Sequence, residues 1–439
     1  MPLTLKQLRK KHARFVYESF DITKSKNTIH VQYLFKLEPN IFFKPKISIP
    51  CDTKISAESL KVFAFNLGLV ESISYWKAAC PKEFVIKAGF LTVEQISWWR
   101  DLFIHGLGEF FYQNKIDFRP KDFLKIKLES KTRFKKQDLK KPNGDLILVG
   151  GGIDSAVTLE LLKKSKQKRE VFLLNPTRPA IEIAKLAGYT KLLIATREID
   201  PKLLDLNSHG YLNGHTPFSA YLAFLGTLAA ALLNYQNVIV SNERSADEVN
   251  IRYHDMEVNH QYSKSTRFEK LFRNYCSKYL SAQINYFSFL RPLYELQVTK
   301  IFARSPKYFG VFKSCNAGQK ANIWCGNCAK CAFSYLALSP FISRGQLIKI
   351  FGSDYFRNKH LVDHINTLTG VTANKPFDCV GTIAESRLAA KLAIEQYGEK
   401  DLKKKIEGRV KMDSNILNSW NKINFLPATY QNLLRKQMN

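Results

Sequence analysis

Residues 146–155 read LILVGGGIDS, a short apolar run followed by three glycines and the start of a helix-forming segment. Glycines let the backbone turn sharply and present several N–H groups to one concave site. A helix N-terminus directly after such a turn adds partial positive charge, which favours an anion. The pattern predicts a buried strand, a phosphate-binding turn and a helix that begins near Ser155.

The spacing of this turn separates it from other phosphate-binding loops. A Walker loop ends in Gly-Lys followed by Ser or Thr, and this turn has no such ending. It resembles the PP-loop of the ATP pyrophosphatases, S-G-G-x-D-S, with Gly in place of the first Ser. That resemblance implies cleavage of ATP between its α- and β-phosphates. A dinucleotide-binding turn and a purely structural turn are the alternatives. The candidate ATP-binding residues are Gly150, Gly151, Gly152, Asp154 and Ser155.

Short apolar runs and apolar helical stretches alternate after residue 145. The strand-like runs cover residues 146–149, 171–174, 191–195 and 238–240. This alternation predicts a parallel, doubly wound α/β sheet, in which ligands bind at the carboxyl ends of the strands. The loops after these strands are therefore expected to carry the chemistry.

Polar residues in two of these loops are further candidates for binding ATP and Mg²⁺. Glu243 or Asp247 could hold Mg²⁺, and Arg244 could neutralise the β- and γ-phosphates. Taken singly, each of the three fits a surface ion pair equally well. Asn175, directly after the second strand-like run, is the fourth candidate.

The chain is long enough for several domains, since 439 residues exceed one ordinary core. Residues 1–118 are predicted to form an α+β domain. Residues 119–144 are strongly basic and read as a linker or an exposed strand pair. Residues 145–305 are the predicted PP-loop (HUP-like) ATP pyrophosphatase domain. Residues 306–439 are cysteine-rich and then mainly helical, which predicts a zinc-stabilised helical C-terminal region.

Within the N-terminal region, residues 29–37 and 41–49 alternate apolar and polar side chains, as paired strands do. Helices are expected over residues 56–79 and 92–111. The second helix has a capping box at its start, because Thr92 is followed by Gln three residues later.

Four of the eight cysteines crowd into one C-x9-C-x2-C-x2-C segment. Thiolates two residues apart on a turn can face one ion, and four satisfy tetrahedral Zn²⁺ with no open position. The spacing predicts a structural Zn²⁺ site, with an iron–sulfur cluster as the alternative. The uneven spacing does not suit a disulfide scaffold and points to a reducing compartment. The predicted ligands are Cys315, Cys325, Cys328 and Cys331.

The formal net charge is +29, from 67 Lys and Arg against 38 Asp and Glu. Such an excess attracts polyanions, among them nucleic acid and nucleotides. Basic residues are spread along the whole chain, which also fits a basic proteome without such a partner. The N-terminus has no apolar signal core, and the apolar run at residues 220–233 is shorter than the roughly 20 residues that cross a bilayer. We therefore expect a cytoplasmic protein with a buried helix at residues 220–233.

Further blocks along the chain are similar to one enzyme family. They are ISYWKAA at 73–79, GLGEF at 106–110, NGHTP at 213–217, SNERS at 241–245, VNHQYSK at 258–264, KPFDCVG at 375–381 and ESR at 385–387. With the glycine turn and the cysteines, these blocks resemble the UDP-N-acetylmuramoyl-L-alanyl-L-glutamate epimerase family of peptidoglycan synthesis. One position departs from the family's G-G-G-K-D-S loop, because Ile153 stands where that loop has Lys.

The resemblance implies ATP-dependent inversion of the terminal L-glutamate of the UDP-linked dipeptide substrate to D-glutamate, with release of AMP and diphosphate. A proton α to a carboxylate is scarcely acidic, because its removal would give a dianion. An acyl-adenylate lacks that charge and provides a carbonyl that can hold the enolate. The implied cofactors are ATP, Mg²⁺ and structural Zn²⁺. The UDP-sugar end of the implied substrate is the expected ligand of residues 1–118. The strongly acidic substrate suits the positive charge of the chain without nucleic acid.

Inversion at carbon needs an acid–base group on each face, or one mobile group. Histidine has the best-matched ordinary pKa, and cysteine is the residue type used by racemases that work without a cofactor. The first candidates for proton transfer are His215 and His260, followed by Cys379 and Lys264. The candidates for holding substrate carboxylates or phosphates are Lys77 and Arg387.

Two other functions stay open from the sequence. One is a PP-loop enzyme that modifies a nucleobase or tRNA, of the 7-cyano-7-deazaguanine synthase type or a thiolation type. The basic charge favours it, but no separate persulfide-forming cysteine pair is recognisable. The other is a zinc-stabilised nucleic-acid-binding protein with a decayed loop. Gly150 and Ile153 suggest such decay, whereas the intact Asp154 and Ser155 oppose it.

Overall fold

The structure is a computed structural model that describes residues 3–51, 55–164, 167–372, 374–399 and 415–438. The elements up to residue 128 are α1 (Leu5–Lys11), β1 (Arg14–Ser25), β2 (Thr28–Leu37), β3 (Ile41–Phe43), β4 (Lys46–Pro50), α2 (Ala57–Trp76), β5 (Glu83–Ile86), α3 (Val93–Gly106), α4 (Gly108–Gln113) and β6 (Lys125–Leu128). The central elements are β7 (Asp145–Leu148), α5 (Ile153–Leu162), β8 (Arg169–Leu174), α6 (Arg178–Leu186), β9 (Leu192–Glu198), α7 (Pro201–Ser208), α8 (Phe218–Leu233), β10 (Asn237–Val240), β11 (Ile251–Tyr253), β12 (Met256–Val258), α9 (Thr266–Tyr275), β13 (Asn285–Ser288) and α10 (Glu295–Ala303). The remaining helices are α11 (Ala329–Leu338), α12 (Arg344–Phe351), α13 (Lys359–Leu368), α14 (Ile383–Tyr397) and α15 (Ala428–Arg435).

Eleven strands form one mixed sheet in the order β13-β10-β7-β8-β9-β4-β2-β1-β5-β6, with β3 paired to β2. The first five strands of this order are parallel to one another. Numbered along the chain and read from β9 to β13, they follow the order 3-2-1-4-5 of doubly wound nucleotide-binding sheets. The prediction of a parallel α/β sheet in this part of the chain is confirmed.

The central strand β7 is covered on both faces. Leu146 and Leu148 pack into one hydrophobic core, together with residues of α2 and α8. Ile147 packs into the other core, together with residues of α5 and α10. Burial on both faces explains why the parallel strands read as continuous apolar runs rather than as alternating ones.

The N-terminal strands continue the same sheet. Strand β4 pairs antiparallel with β9, with Ser48 opposite Thr196. An ion pair reinforces the junction, because Arg197 on β9 donates to both carboxylate oxygens of buried Glu71 on α2, each at 2.8 Å. The division of the chain into domains at residues 118, 144 and 305 stays a prediction.

Several element boundaries differ from the sequence-based expectation. The predicted strand at 41–49 is split into β3 and β4, with Pro45 between them, which has no N–H for the ladder. The predicted helix at 92–111 is split into α3 and α4 at Leu107, whose ψ of 12° is not helical. In the basic segment, expected to be a linker or an exposed strand pair, residues 125–128 form one edge strand parallel to β5.

Other local predictions are confirmed. Thr92 and Gln95 form the capping box of α3, and α8 is the buried helix expected near residues 220–233. Within the described ranges, no helix is both long and apolar enough to cross a membrane. Strand β13 is not predicted from the sequence, because its four residues, NYFS, carry polar side chains at both ends.

Candidate active site

The glycine turn lies where the strand order of the parallel sheet reverses. Strand β7 has β8 on one side and β10 on the other, and the turn follows its carboxyl end. Gly152 is the N-cap of α5, and the N–H of Gly150 donates to Ser155 Oγ at 2.9 Å. The turn therefore presents a helix N-terminus at the switch point of the sheet, the usual ligand-binding place in such folds.

A close approach explains one of the glycines. A Cβ atom on Gly151 would lie 2.9 Å from Gln319 Nε2 and 3.0 Å from Pro179 Cβ. The carbonyl of Gly151 accepts a hydrogen bond from the backbone N–H of Lys313 at 2.8 Å. The segment that carries the first of the four clustered cysteines thus packs directly against the turn.

A cavity of about 460 Å³ opens over the turn, a size typical of small-molecule sites. Polar residues from other elements line it too, among them Asn175, Ser241, Asn242 and Lys264. All five predicted residues of the turn line it as well. The cavity thus joins the ends of β7, β8 and β10 into one site.

Asp154 is the acidic residue of this cavity. Its pKa is raised to about 7 by burial and by the negative charge of Glu243, against the positive charges of Lys330 and Lys264. Among the described residues, its Oδ1 atom and Ser241 Oγ are buried without a hydrogen-bond partner. Carboxylate and hydroxyl oxygens are ligands that Mg²⁺ accepts, so these atoms fit a divalent cation.

The three predicted ligands after β10, Glu243, Arg244 and Asp247, lie in different surroundings. Glu243 is only 3% exposed and interacts electrostatically with Asp154. The guanidinium of Arg244 lies 4.4 Å above the ring of Tyr294. The carboxylate of Asp247 accepts hydrogen bonds from the N–H and the hydroxyl of Thr266, both at 2.6 Å. Of the three side chains, Glu243 is thus the one associated with the cavity carboxylate.

Asn175 lines the cavity, but its side chain forms hydrogen bonds with the backbone of β9. Its amide group donates to the carbonyl of Arg197 and accepts from the N–H of Arg197, both at 2.8 Å. Its φ of +43° lies in the left-handed region, which asparagine tolerates better than most residues. Asn175 therefore shapes the cavity by tying the end of β8 to β9.

A second cluster of polar side chains lies beside Lys264. The Nζ atom of Lys264 is 3.2 Å from Cys379 Sγ. His260 Nδ1 is 2.5 Å from Glu109 Oε2, and His215 Nδ1 is 3.4 Å from the same oxygen. The two imidazole centroids are 4.6 Å apart. The four predicted proton-transfer residues are thus brought together, and Glu109 joins them.

The electrostatics of this cluster divide its members into charged and neutral groups. Burial alone would raise the pKa of Cys379, but the charges of Lys264 and His260 lower it to about 6. Burial alone would lower the pKa of His260, but Cys379 and Glu109 raise it to about 9. Burial and the charges of His260 and Lys77 lower the pKa of His215 to about 3. Near neutral pH the cluster holds a thiolate, an imidazolium and a neutral imidazole.

Glu109, His215 and His260 also place three metal-ligand atoms within 4.8 Å of one another. The positive charges of Lys77 and Lys264 that depress the pKa of His215 also oppose a cation there. Glu109 already accepts the short hydrogen bond from His260. The surrounding positive charges and the engaged carboxylate therefore disfavour a metal ion at these three residues.

The two predicted substrate-binding cations bond to the chain itself. Lys77 donates to the carbonyl of Gly214 and to Thr216 Oγ1, the latter at 2.7 Å, and burial lowers its pKa to about 8. Arg387 Nε donates to the carbonyl of Thr369 at 2.7 Å, just after α13. Lys77 thus stabilises the loop that carries His215, whereas Arg387 caps the C-terminal end of α13.

Arg291 is a residue of the site that has no assigned role from the sequence. It is fully buried, and its guanidinium lies 3.0 Å from the carboxylate of Glu269. It donates to the backbone carbonyl of Glu243 at 2.6 Å and to that of Lys264. One side chain thus ties the loop after β10 to the segment that carries Lys264. An arginine inside the apolar block FLRPL was the only signal of this role.

The four predicted cysteine ligands form one compact group. Their sulfur atoms all lie within 4.8 Å of one another, and Cys325 Sγ is 3.7 Å from Cys331 Sγ. Zn–S bonds of about 2.3 Å in a tetrahedron place sulfur atoms about 3.8 Å apart. Cys315 Sγ accepts a backbone N–H bond from Gly318 at 3.1 Å. This donor set fits a tetrahedral ion such as Zn²⁺.

Comparisons with known proteins agree with the resemblance seen in the sequence. The MurL N-terminal domain family matches residues 6–289, and the MurL C-terminal domain family matches residues 311–414. The chain belongs to the MurL family. No solved structure matches this MurL-family chain.

Three curated relatives of this MurL-family chain are each named UDP-N-acetyl-alpha-D-muramoyl-L-alanyl-L-glutamate epimerase. The Micromonospora sp. protein is 35% identical over 337 residues, which are 75% of this chain and 74% of the relative. The Salinispora tropica protein is 35% identical over 76% of this chain and 74% of its own length. The Xanthomonas oryzae pv. oryzae protein is 34% identical over 74% of this chain and 72% of its own length.

Proposed function

We propose that this chain inverts the terminal L-glutamate of UDP-N-acetylmuramoyl-L-alanyl-L-glutamate to D-glutamate, through an acyl-adenylate formed from ATP. The names of its relatives support the substrate and the outcome. The observation that carries the mechanism is the position of Lys264, which lines the glycine-turn cavity and contacts Cys379. A cavity suited to a nucleotide therefore adjoins a thiol suited to proton transfer.

The first step takes place at the glycine turn, where ATP would bind if the turn acts as a PP-loop. An oxygen of the glutamate α-carboxylate attacks the α-phosphorus, the bond to the β-phosphate oxygen breaks, and diphosphate leaves. The turn and the N-terminus of α5 bind phosphate oxygens through backbone N–H groups. Asp154 and Glu243 are the residues that would hold Mg²⁺, whose charge offsets that of the phosphates.

The second step inverts the α-carbon. Cys379, as the thiolate, removes the α-proton of the L-glutamyl adenylate, and the electron pair moves onto the carbonyl oxygen. His260, as the imidazolium, delivers a proton to the opposite face. The pKa values of about 6 and about 9 leave the base deprotonated and the acid protonated between these limits. Water then attacks the carbonyl carbon of the adenylate and releases AMP and the D-glutamyl product.

The neighbouring residues keep this pair in its working protonation state. Glu109 accepts a hydrogen bond from Nδ1–H of His260, which orients the imidazole ring and stabilises its positive charge. Lys264 stabilises the Cys379 thiolate at 3.2 Å. His215 is the neutral partner of the same carboxylate and supports the orientation of Glu109. The four cysteines would hold a structural ion, because four thiolate ligands would leave no open position for substrate.

The test is incubation of the protein with ATP, Mg²⁺ and the UDP-linked dipeptide substrate in D₂O. We expect AMP, diphosphate and D-glutamate after hydrolysis, with deuterium at the α-carbon. AMP without inversion would retain the adenylation step and reject the epimerase. Absence of AMP would reject the acyl-adenylate, and AMP formed only with tRNA would favour the base-modifying alternative.

Two variants separate the steps. Cys379→Ser keeps the site's shape but weakens the base, so we expect AMP release to continue while D-glutamate formation falls by at least about 100-fold. Cys51→Ala, directly after β4, is the cysteine control and is expected to retain both activities. Equal loss of both products in Cys379→Ser would contradict the role of its thiol in proton transfer.

A further inference from the structure

The four-cysteine group lies against the glycine turn. Cys315 belongs to a short segment in which the N–H of Lys313 donates to the carbonyl of Gly151 at 2.8 Å. Gln319 Nε2 donates to the carbonyl of Lys313 at 3.0 Å and also lines the cavity. This segment therefore supports the turn from below the cavity.

The same group also lies against the loop that carries Cys379. Lys330 stands between two of the four cysteines, in the first turn of α11, and is only 8% exposed. Its Nζ donates to the backbone carbonyl of Cys379 and lies 3.6 Å from Glu295 Oε1. A second bond joins the cysteine segment to the Cys379 loop, from Asn316 Nδ2 to Asp378 Oδ1 at 3.0 Å.

The cysteine segment has no regular secondary structure. Residues 316–328 are all described and contain no helix and no strand. Trp324 anchors the segment by packing against Phe312 and Phe351, with ring centroids 5.2 Å and 4.5 Å apart. Because the segment lacks a regular backbone hydrogen-bond ladder, a metal cross-link through its cysteines would add a second constraint. Loss of that cross-link would loosen the connection between Lys313 and Lys330.

We propose that Lys330 is a positioning residue for Cys379, and that metal bound by the four cysteines couples the glycine turn to the Cys379 loop. The ion does not touch substrate in this arrangement. It sets the relative position of the adenylation and proton-transfer sites, through Lys313 on one side and Lys330 on the other. This inference rests on the proposed function, because that function assigns adenylation to the glycine turn and proton transfer to Cys379. The contacts of Lys313 and Lys330 do not depend on that assignment.

The first experiment compares the zinc-loaded protein with protein stripped by a chelator and with stripped protein reloaded with Zn²⁺. Two readouts need no turnover: the Kd of a fluorescent ATP analogue, and the iodoacetamide labelling rate of the Cys379 peptide measured by mass spectrometry. We expect a Kd increase of at least about tenfold and a changed labelling rate, both reversed by Zn²⁺. A stripped protein that stays folded with both values unchanged would overturn the coupling.

The second experiment tests the role of Lys330 and does not require the stripped protein to stay folded. Lys330→Met keeps the aliphatic stem and removes the donor to the Cys379 carbonyl. We expect it to change Cys379 labelling and lower kcat for inversion, with zinc content and the Kd of the ATP analogue within about twofold of the original values. Lys330→Arg is expected to restore part of kcat, and Lys320→Met, an exposed lysine in the same segment, is the matched control. Unchanged labelling and kcat in Lys330→Met would overturn the positioning role.

These readouts separate the inference from the proposed function. A protein without epimerase activity whose ATP affinity and Cys379 labelling still follow zinc would sink the function and keep the coupling. An active epimerase whose ATP affinity and Cys379 labelling do not change on zinc removal would retain the function and reject the coupling.

Discussion

Lys264 Nζ lies 3.2 Å from Cys379 Sγ, and the same lysine lines the cavity above the glycine turn. The two residues are far apart in the sequence, and Arg291 holds the backbone of Lys264 from a third segment. This contact places a thiolate next to the site where the adenylate would form.

The pH dependence of kcat/KM for inversion should be bell-shaped. Cys379 must be deprotonated, so activity falls as pH drops below its pKa of about 6. His260 must be protonated, so activity falls as pH rises above its pKa of about 9. Stopped assays of D-glutamate across pH 5 to 10 check both limbs. A profile that rises steadily to pH 10 would argue against His260 as the acid.

Lys264→Met should move the acid limb alone. Removal of the positive charge beside the thiol raises the pKa of Cys379, so the limb shifts to higher pH by about one unit or more. The same shift should appear in the pH dependence of Cys379 alkylation, which requires no turnover. An unmoved alkylation profile would mean that Lys264 does not stabilise the thiolate.

Asp154→Asn should weaken the ATP half-reaction. The change removes the charge that would hold Mg²⁺, so AMP release should fall by about 100-fold and need more Mg²⁺. Asp247→Asn is the comparison variant, because that carboxylate bonds to Thr266 instead. Titration of Mg²⁺ against AMP release measures both. A larger loss in Asp247→Asn would exchange the two assignments.

Gly226→Ala should destabilise the fold beneath the site. A Cβ atom there would lie 2.9 Å from Val238 Cγ1 and 3.1 Å from Leu148 Cδ2. Such overpacking between α8 and the sheet lowers the free energy of unfolding by about 1–3 kcal/mol. Urea unfolding followed by circular dichroism gives the difference.

Gly345→Ala in α12 is the matched control for this prediction. A Cβ atom at Gly345 meets nothing within 4 Å, so only helix propensity acts and stability should change by less than about 1 kcal/mol. Equal urea midpoints for the two alanine variants would contradict the packing argument.

Local patterns in the sequence were enough for four of the five parallel strands and for the cysteine group. Strands β7, β8, β9 and β10 each contain a short apolar run with glycine or polar residues after it, so they could be located without any contact information. The glycine turn follows from the same local pattern. The four cysteines are recognisable because their ligand spacing is itself local, and the structure brings their sulfur atoms within 4.8 Å.

The tertiary structure decided everything that depends on residues distant in the chain. Glu109 is 151 residues from His260, and no spacing in the sequence marks them as partners. The joining of the N-terminal strands to the parallel sheet through β4 and β9 was equally invisible. The physical reason is that periodicity and turn chemistry report local backbone geometry, whereas the pKa values of Cys379 and His260 arise from burial and from charges that only folding brings near. The sequence alone therefore determined which residue types the site has, and the fold decided which of them are charged.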